Sequence, residues 1–281
     1  MTLQSLTVLD ELVAGVREDL AADQAALPER ELSARAKDAP PAQGLLNALR
    51  MPPSGLDPDG GRVRVIAEVK QASPSQGVIA WAFDPGAIAR RYEAGGAAAI
   101  SVLTERRRFL GSMDHLRAVR AAVRLPVLRK DFIFDPYQVV EARAGGADAI
   151  LLIAAILETH EMEDLRLQAE DLGMDALVEV YAGEEMDRAL AAGARLLGVN
   201  NRNLKTFEVD AGHTLRVFSR LPAPRRGQLV LVSESGILGW KDVAPLAGAR
   251  VDAVLVGEAL MRAPSPEGLL AELRGLPARA G

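Results

Sequence analysis

The sequence predicts an α/β fold, namely a (β/α)8 TIM barrel with an extra N-terminal helical region. Three patterns support this class: eight apolar, β-rich runs, helical segments between them, and a repeated Ala-Gly turn. Strict alternation over about 210 residues favours a closed barrel, although the sequence alone leaves an open doubly wound sheet possible. The runs begin near Val63, Ala98, Pro126, Ala149, Ala176, Leu196, Leu229 and Ala253.

Residues 1–61 are predicted to be a helical extension and connector to a single barrel domain that spans 1–281. An amphipathic helical region covers about residues 1–35, and a connector rich in Pro and Gly follows over 38–61. Residues 45–50 within it could form a short helix. Two roles for the N-terminal helix stay open, capping the barrel or covering the site. Its apolar residues on or near one face are Leu6, Leu9, Val13, Val16 and Leu20.

A short phrase of Ala and Gly recurs where helices are predicted to end. It lies at 94–96, 144–146, 192–194 and 247–249, each time between an amphipathic stretch and a β-rich run. Gly is a common residue where a helix ends and leads into the next strand. Helix start signals are also present. They are Asp84 with Pro85, Ser112, Asp135 with Pro136, Thr159, Gly183 and residues 264–267.

Composition narrows the classes of function. The chain has 281 residues, 49% of them hydrophobic and 25% charged, as in ordinary globular proteins. A net charge of −5 with 4% aromatic residues argues against a nucleic-acid partner. No apolar run approaches a membrane span and no basic leader is visible, so we expect a cytoplasmic protein.

Cysteine is absent and the histidines are scattered, so we expect no metal site. Residues 106–108, three arginines, are interpreted as a solvated loop.

Polar side chains interrupt four of the apolar runs close to their ends. An isolated charge inside a covered parallel sheet would cost on the order of several kcal/mol. We therefore expect these residues to lie at the C-terminal face of the barrel, where TIM-barrel active sites are built. A buried structural ion-pair network is the alternative explanation. The residues concerned are Glu68, Lys70, Lys130, Glu179, Asn200 and Arg202.

Three loops contain small residues that would let backbone N–H groups approach a phosphate. They lie at 73–77, 233–236 and 256–259, and the last two follow the seventh and eighth predicted strands, the usual phosphate cradle of this fold. Several cations in the same cleft favour an anionic small molecule. The available chemistry is acid–base catalysis by Lys and Glu, with a Lys Schiff base as the competing use.

Six motifs of the chain closely resemble those of the indole-3-glycerol phosphate synthase family, in the family's order from about Leu45 to Met261. Neighbouring phosphate-binding barrels share the glycine loops but lack the paired Glu-x-Lys and Lys-Asp-Phe motifs. The resemblance implies ring closure, decarboxylation and dehydration of 1-(2-carboxyphenylamino)-1-deoxy-D-ribulose 5-phosphate to indole-3-glycerol phosphate in tryptophan biosynthesis, without a cofactor. The motifs lie at 66–75, 101–105, 128–133, 198–204, 233–237 and 256–261.

The same resemblance implies roles for individual residues. Lys130 is the expected general acid, and Lys70 is expected to hold the substrate carboxylate and share acid duty. Glu179 and Glu68 are the expected bases for dehydration. Asn200, counted with the catalytic residues, is expected to orient the substrate together with Arg202 and Ser235. How the acid and base duties divide among these residues stays open. The expected substrate-binding residues are Ser73, Phe132, Arg202, Glu234, Ser235, Gly236, Gly257 and Glu258.

Two residues depart from the family pattern. Glu258 stands where a small residue would suit a phosphate, so we expect its carboxylate to turn away and leave only backbone N–H groups to bind. Asn203 stands where Asp is frequent. Two other functions are kept as alternatives, a phosphoribosyl isomerase on the same barrel and a non-catalytic barrel that binds a phosphorylated ligand. We expect a small phosphorylated substrate and a monomer or weak homo-oligomer.

Overall fold

Eight parallel strands close into a barrel in the computed structural model, which describes residues 7–52, 54–203, 206 and 208–277. The barrel strands are β1 (Arg64–Val69), β4 (Ala99–Leu103), β5 (Val127–Lys130), β6 (Ala149–Ile153), β7 (Asp175–Val180), β8 (Leu196–Asn200), β9 (Val230–Glu234) and β10 (Ala253–Val256). Each begins within one residue of its expected start. Around the barrel their order is β1, β10, β9, β8, β7, β6, β5 and β4, so the predicted TIM barrel is confirmed.

Helices separate the barrel strands along the chain. Two very short strands, β2 (Ala72–Ser73) and β3 (Gly77–Val78), form an antiparallel hairpin directly after β1 that the sequence analysis did not predict. The helices are α1 (Val8–Ala26), α2 (Glu29–Asp38), α3 (Leu45–Leu49), α4 (Pro85–Ala94), α5 (Met113–Ala122), α6 (Pro136–Ala144), α7 (Thr159–Asp171), α8 (Gly183–Ala191), α9 (His213–Phe218), α10 (Ala223–Arg226), α11 (Trp240–Gly248), α12 (Glu258–Arg262) and α13 (Pro266–Leu273).

The helix starts depend on local capping. Asp84 and Asp135 each accept a backbone N–H of the first helical turn, with Pro as the first helical residue. Ser112 caps α5 in the same way. The last helix starts at Pro266 with Ser265 as its cap, inside the expected 264–267. These short-range signals explain why the element boundaries are readable from the sequence.

Alternate residues of each barrel strand face opposite sides. On β8, Leu197 and Val199 pack outward against the helices, whereas Leu196 packs in the barrel interior. The interior is filled by apolar side chains from all eight strands. At the C-terminal ends of β1, β5, β7, β8 and β9 the inward positions carry polar residues instead, and this is where a cavity opens.

The N-terminal end of the barrel is closed by the connector. Leu45 and Leu49 of α3 are fully buried and pack within the interior cluster. Three aspartates that immediately precede or begin barrel strands hold this plug, because each accepts a backbone N–H from the connector. The bonds are Gln43 N to Asp148 Oδ1 (2.8 Å), Leu46 N to Asp175 Oδ2 (2.9 Å) and Met51 N to Asp252 Oδ1 (3.2 Å). The accessible mouth is therefore at the opposite end.

Helix α1 lies at that mouth. Thr7 caps it in a reciprocal pair with Asp10, and its buried Leu9 and Leu12 contribute to the cavity wall. Of the two roles left open for this helix, covering the site therefore agrees with the contacts; Leu6 lies outside the described residues. No helix in the described ranges has the length and apolar character needed to cross a membrane.

Candidate active site

A cavity of about 210 Å³ opens at the C-terminal ends of the barrel strands. All thirteen residues proposed from the sequence as catalytic or substrate-binding line it, from Glu68 on β1 to Glu258 after β10. They converge because the C-terminal ends of parallel strands meet at one face of a closed barrel. The geometric expectation behind the site therefore agrees with the structure, while the chemical role of each residue stays a prediction.

Lys130 lies at the centre of the charged cluster. Its Nζ is 3.3 Å from Oε2 of Glu179 and 3.5 Å from Oε2 of Glu234. Asn200 donates from Nδ2 to the other oxygen of Glu179 at 3.1 Å, and its own Oδ1 accepts the backbone N–H of Arg202 at 2.9 Å. Glu179 is thus held between an ammonium and an amide, which fixes its orientation toward the cavity.

A second ion pair lies beside the first. Lys70 Nζ and Glu68 Oε1 are 2.7 Å apart, and both side chains are largely buried. Gly257 makes room for them, because a Cβ at this position would overlap Oε1 of Glu68 and lie 3.0 Å from Nζ of Lys70. The glycine of the third phosphate loop therefore also seats this ion pair.

Burial and neighbouring charge act in opposite directions on Lys130. Burial disfavours the ammonium, but the negative charges of Glu179, Glu234 and Glu68 outweigh it and raise the pKa of Lys130 above its ordinary value of 10.5. The lysine is therefore a cation at neutral pH. This favours proton donation over a Schiff base, which requires a neutral amine.

Burial, which opposes the shift at Lys130, is the main cause of the pKa shift at Glu234. The residue is 1% exposed, and burial together with the negative charge of Glu179 raises the pKa of Glu234 to about 8, although Lys130 acts against the shift. A hydrogen bond with Glu179 adds to the shift, and the contact with Nζ of Lys130 is long, at 3.5 Å. The cluster therefore holds an extra proton at neutral pH.

This shifted pKa predicts a pH dependence of stability. The folded chain keeps a proton on Glu234 that the unfolded chain releases near pH 4.5, so the free energy of unfolding should fall as pH rises from about 4.5 to about 8. The slope should be on the order of 1 kcal/mol per pH unit. Glu234→Gln removes the titration. Melting temperatures measured from pH 5 to 8 should therefore fall less in the variant than in the wild type, and parallel curves would contradict the assignment.

The phosphate loop after β9 has an unusual backbone. Ser235 and Gly236 have φ values of 67° and 74°, and a non-glycine residue rarely adopts this left-handed conformation. Asn201 holds the turn: its Nδ2 donates to the carbonyl of Ser235 and to Oγ of Ser233, each at 3.1 Å. Buried Thr214 donates to Oδ1 of Asn201 at 2.8 Å and completes the network. Contacts within the chain therefore organise the loop.

Glu258 lines the cavity, and its carboxylate pairs with a cation of its own helix. Its Oε1 lies 3.2 Å from Nε of Arg262, one turn later on α12, and Arg262 also donates to Oε1 of Gln76 on the β2–β3 turn at 3.3 Å. Asn203, the other departure, is not among the described residues that line the cavity. Its Oδ1 accepts the backbone N–H of Thr206 at 3.3 Å.

Part of the cavity lining is an apolar wall. Phe132, Phe109, Leu9 and Leu12 line the cavity and pack in one hydrophobic cluster. Phe109 is presented by a loop that Glu105 organises. The carboxylate of Glu105, which is 2% exposed, accepts the backbone N–H groups of Arg107, Arg108 and Phe109, each at 2.8 Å. Glu105 lies in the motif at 101–105, but no role for it was predicted from the sequence.

The three arginines of this loop connect it to α1. Arg106 pairs with Asp23 at 2.6 Å, Arg107 with Glu18 and Asp19 at 2.8 and 2.7 Å, and Arg108 with Glu11 at 3.3 Å. Their side chains are about half exposed, as a loop would be, but the interpretation as a merely solvated loop misses these contacts. Helix α1 and the loop together cover the apolar side of the cavity.

Replacing Glu105 with Gln tests the loop. Gln keeps one acceptor but turns an NH2 group toward backbone N–H donors, so charge-assisted bonds worth about 1.5–3 kcal/mol each are weakened. We expect the KM for substrate to rise about tenfold with a smaller change in kcat, measured by steady-state kinetics. Glu18→Gln is the matched control, because it removes only an exposed ion pair of the same loop. A KM equal to that of the control would contradict the role of Glu105.

Comparison with known sequences identifies the family. The sequence model of the family described as indole-3-glycerol phosphate synthase matches residues 9–273, which is nearly the whole chain. The chain belongs to the indole-3-glycerol phosphate synthase family. It is 51% identical to the indole-3-glycerol phosphate synthase of Mycolicibacterium smegmatis over 271 residues, which cover 96% of this chain and 95% of that protein. The Mycolicibacterium gilvum enzyme of the same name is 52% identical over 269 residues, covering 96% and 94%.

Solved structures confirm the fold beyond this family. Thiamine phosphate pyrophosphorylase from Pyrococcus furiosus superposes with a TM-score of 0.56 at 18% identity, covering 76% of this chain and 94% of that one. KGPDC from Streptococcus mutans gives 0.55 at 13% identity, covering 76% and 96%. At such identities the similarity concerns the barrel alone.

The site of this indole-3-glycerol phosphate synthase family member contains functional residues that sequence reasoning missed. Asn201, Glu105 and Phe109 each contribute to the cavity or to its loops. Glu105 and Asn201 lie within the motifs at 101–105 and 198–204, just after the ends of β4 and β8, so their position could have drawn attention to them. Phe109 lies further along the loop after β4 and had no such signal. Leu9 and Leu12 on α1 had no such signal, because an apolar residue on an amphipathic helix is ordinary.

Proposed function

We propose that this chain carries out the reaction of its family in the cavity described above. It would convert 1-(2-carboxyphenylamino)-1-deoxy-D-ribulose 5-phosphate to indole-3-glycerol phosphate, a carbon–carbon lyase reaction of tryptophan biosynthesis. The observation that carries the proposal is the buried Lys130, which lies between Glu179 and Glu234 on the floor of the cavity. A cation held in this way can donate a proton to a bound substrate and recover one from the neighbouring carboxylate.

The two walls of the cavity suit the two ends of this substrate. The phosphate would bind at the loops containing Ser73, Ser235, Gly236 and Gly257, where backbone N–H groups and small residues allow close approach. The aromatic ring would lie against Phe132 and the apolar wall under α1, since a flat apolar group gains most from burial there. We assign Lys70 to the substrate carboxylate, and Arg202 and Asn200 to orientation of the polar chain between the two ends.

Ring closure begins when the ring carbon that bears the carboxylate attacks the ketone carbon. Lys130 would donate a proton to the ketone oxygen, which prevents an alkoxide from accumulating in a low-dielectric site. The carboxylate then leaves as CO2 and its electron pair restores the aromatic ring. Nothing in this step requires an oxidant, a reductant or a cofactor.

Dehydration follows at the same carbon. The new hydroxyl takes a proton and leaves as water, while a base removes a proton from the adjacent CH2 carbon. We assign the base to Glu179, because it touches Lys130 at 3.3 Å and can return the proton to it. In total two protons are donated and one is recovered, so each turnover consumes one proton and releases CO2 and water. Glu68 pairs with Lys70 and is the second candidate for the base.

Incubation of the purified protein with the carboxyphenylamino substrate tests the proposal directly. We expect indole-3-glycerol phosphate, measured by its indole absorbance, and CO2 to be formed in equal molar amounts. Absence of turnover would contradict the assigned function. Neither alternative function is favoured: an isomerase would form no CO2, and a non-catalytic barrel would bind the substrate without forming either product.

The phosphate loops can be tested separately through Gly236. We expect Gly236→Asp to raise KM by at least about tenfold, because it places charge and bulk where N–H groups approach an anion. The structure adds a second reason, since Gly236 has a φ of 74° and a Cβ there would overlap Val209. Gly236→Ala retains this strain without the charge. The kinetics of the two variants therefore separate the effects, and an unaltered KM in the Asp variant would remove the loop from the site.

The assembly and location of the protein belong to the same proposal. We expect a cytoplasmic monomer or weak homo-oligomer that acts on a small phosphorylated molecule, with no nucleic-acid or membrane partner. The net charge of −5 supports the absence of a nucleic-acid partner, since it disfavours binding to polyanions. Light scattering at several protein concentrations measures the oligomeric state.

A further inference from the structure

Gly198 occupies an inward position on β8, between Leu196 and Asn200. Its backbone does not require glycine, because it is not among the described residues with positive φ. A side chain is excluded for a different reason. A Cβ at this position would overlap Oε1 of Glu234, and it would lie 3.3 Å from Cδ1 of Leu177 and 3.4 Å from Cδ of Glu234. The carboxylate of Glu234 therefore fills the space that a side chain at 198 would need.

The strand register shows how far Glu234 reaches. Its Cα pairs with Asn200, whereas Gly198 pairs with Val232. The carboxylate nevertheless lies over Gly198, two residues deeper in the barrel than its own Cα. A glutamate side chain reaches this depth only if the facing position on the neighbouring strand is empty.

Few polar contacts hold the carboxyl group in place. Nζ of Lys130 is 3.5 Å from Oε2, and Glu179 is its hydrogen-bonding neighbour. Packing therefore contributes to its position. The backbone of Gly198 lies on one side of the carboxyl group of Glu234, and Lys130 lies on another side.

We propose that Gly198 is a positioning residue that seats Glu234 against Lys130, an inference that rests on the proposed role of Lys130 as general acid. A methyl group at 198 displaces the carboxylate from this seat. The polar groups around Lys130 then shift in a buried site, where a displacement of about 1 Å is enough to reduce the rate strongly. The proposal explains why a strand otherwise composed of larger residues has glycine at this inward position.

Gly198→Ala tests the proposal in two backgrounds. In the wild-type background we expect kcat to fall about 10- to 100-fold with little change in KM, and the melting temperature to fall as well. Glu234→Ala vacates the space that the methyl group needs. In that background, adding Gly198→Ala should change neither kcat nor the melting temperature further.

The controls separate steric from electrostatic causes. Glu234→Gln keeps the volume of the side chain, so Gly198→Ala should remain harmful to stability in that background. Gly227→Ala is the matched glycine control, because the space around Gly227 is open and its φ is −67°. We expect that control to keep wild-type kinetics and melting temperature.

Two outcomes would overturn the proposal. One is a Gly198→Ala variant with wild-type kcat and melting temperature. The other is an equal loss of melting temperature with and without Glu234→Ala, which would assign the loss to Leu177 or to the backbone. If Gly198→Ala alone does not fold, the double variant must still fold as Glu234→Ala does. The melting-temperature measurement needs no turnover, so it tests the role of Gly198 even if the assigned reaction is not found. If the wild type turns over but Gly198→Ala and Glu234→Ala affect the melting temperature independently, the proposal about Gly198 is refuted and the proposed function is not.

Discussion

Replacing Lys130 with Met is expected to lower kcat by about 10²- to 10⁴-fold, the usual contribution of a general acid. Met retains most of the length of the side chain but has no proton to donate. Because the phosphate loops lie at other strand ends, the affinity for inorganic phosphate should remain nearly that of the wild type. Single-turnover kinetics with the carboxyphenylamino substrate and a phosphate-binding titration provide the two measurements.

Lys241→Met provides a matched control for this substitution. Lys241 lies on α11 and is exposed, so the same chemical change there should leave kcat unaltered. The Lys130 variant also leaves Glu179 and Glu234 without the cation between them, and circular dichroism should confirm that it folds. A folded Lys130→Met variant with turnover close to that of the control would refute proton donation by Lys130.

The second large effect is expected for Glu179→Gln. The amide cannot accept the proton released from the CH2 carbon during dehydration, so kcat should fall by about 10²- to 10⁴-fold. The hydrogen bond from Asn200 can persist, because Gln keeps a carbonyl oxygen, and KM should therefore change little. Steady-state kinetics of the variant and of the wild type measure the loss.

Glu68→Gln is the comparison that assigns the base. Glu68 is paired with Lys70 at 2.7 Å and not with Lys130, so its loss should affect binding of the substrate carboxylate more than proton transfer. We expect a higher KM with a kcat closer to that of the wild type. A greater loss of kcat in the Glu68 variant than in the Glu179 variant would reverse the assignment of the base.

Much of the fold was readable from local patterns. The eight strand starts were predicted to within one residue because apolar runs and helix caps are short-range features, as at Asp84 and Asp135. The hairpin β2–β3 was missed because each of its strands has only two residues, too few for any periodicity. Glycine loops and strand-end charges indicated the site, since TIM barrels place function at one face.

The residues that support the site were not readable in this way. Glu105 acts through backbone N–H groups of the following loop, and a conformation of that kind leaves no mark in the residue types. Arg107 meets Asp19 of α1, 88 positions earlier in the chain. Such pairs come together only when the barrel closes and α1 packs across its mouth.

The sequence by itself determined the eight β/α units, the family and thirteen of the residues that line the cavity, because these depend on residue type and on spacing along one segment. Tertiary structure decided which charges pair, how the connector closes the other end of the barrel, and why β8 has glycine at position 198. The physical reason is distance: whether Glu234 overlaps a side chain at 198 depends on the register of two strands and on the depth to which one side chain reaches.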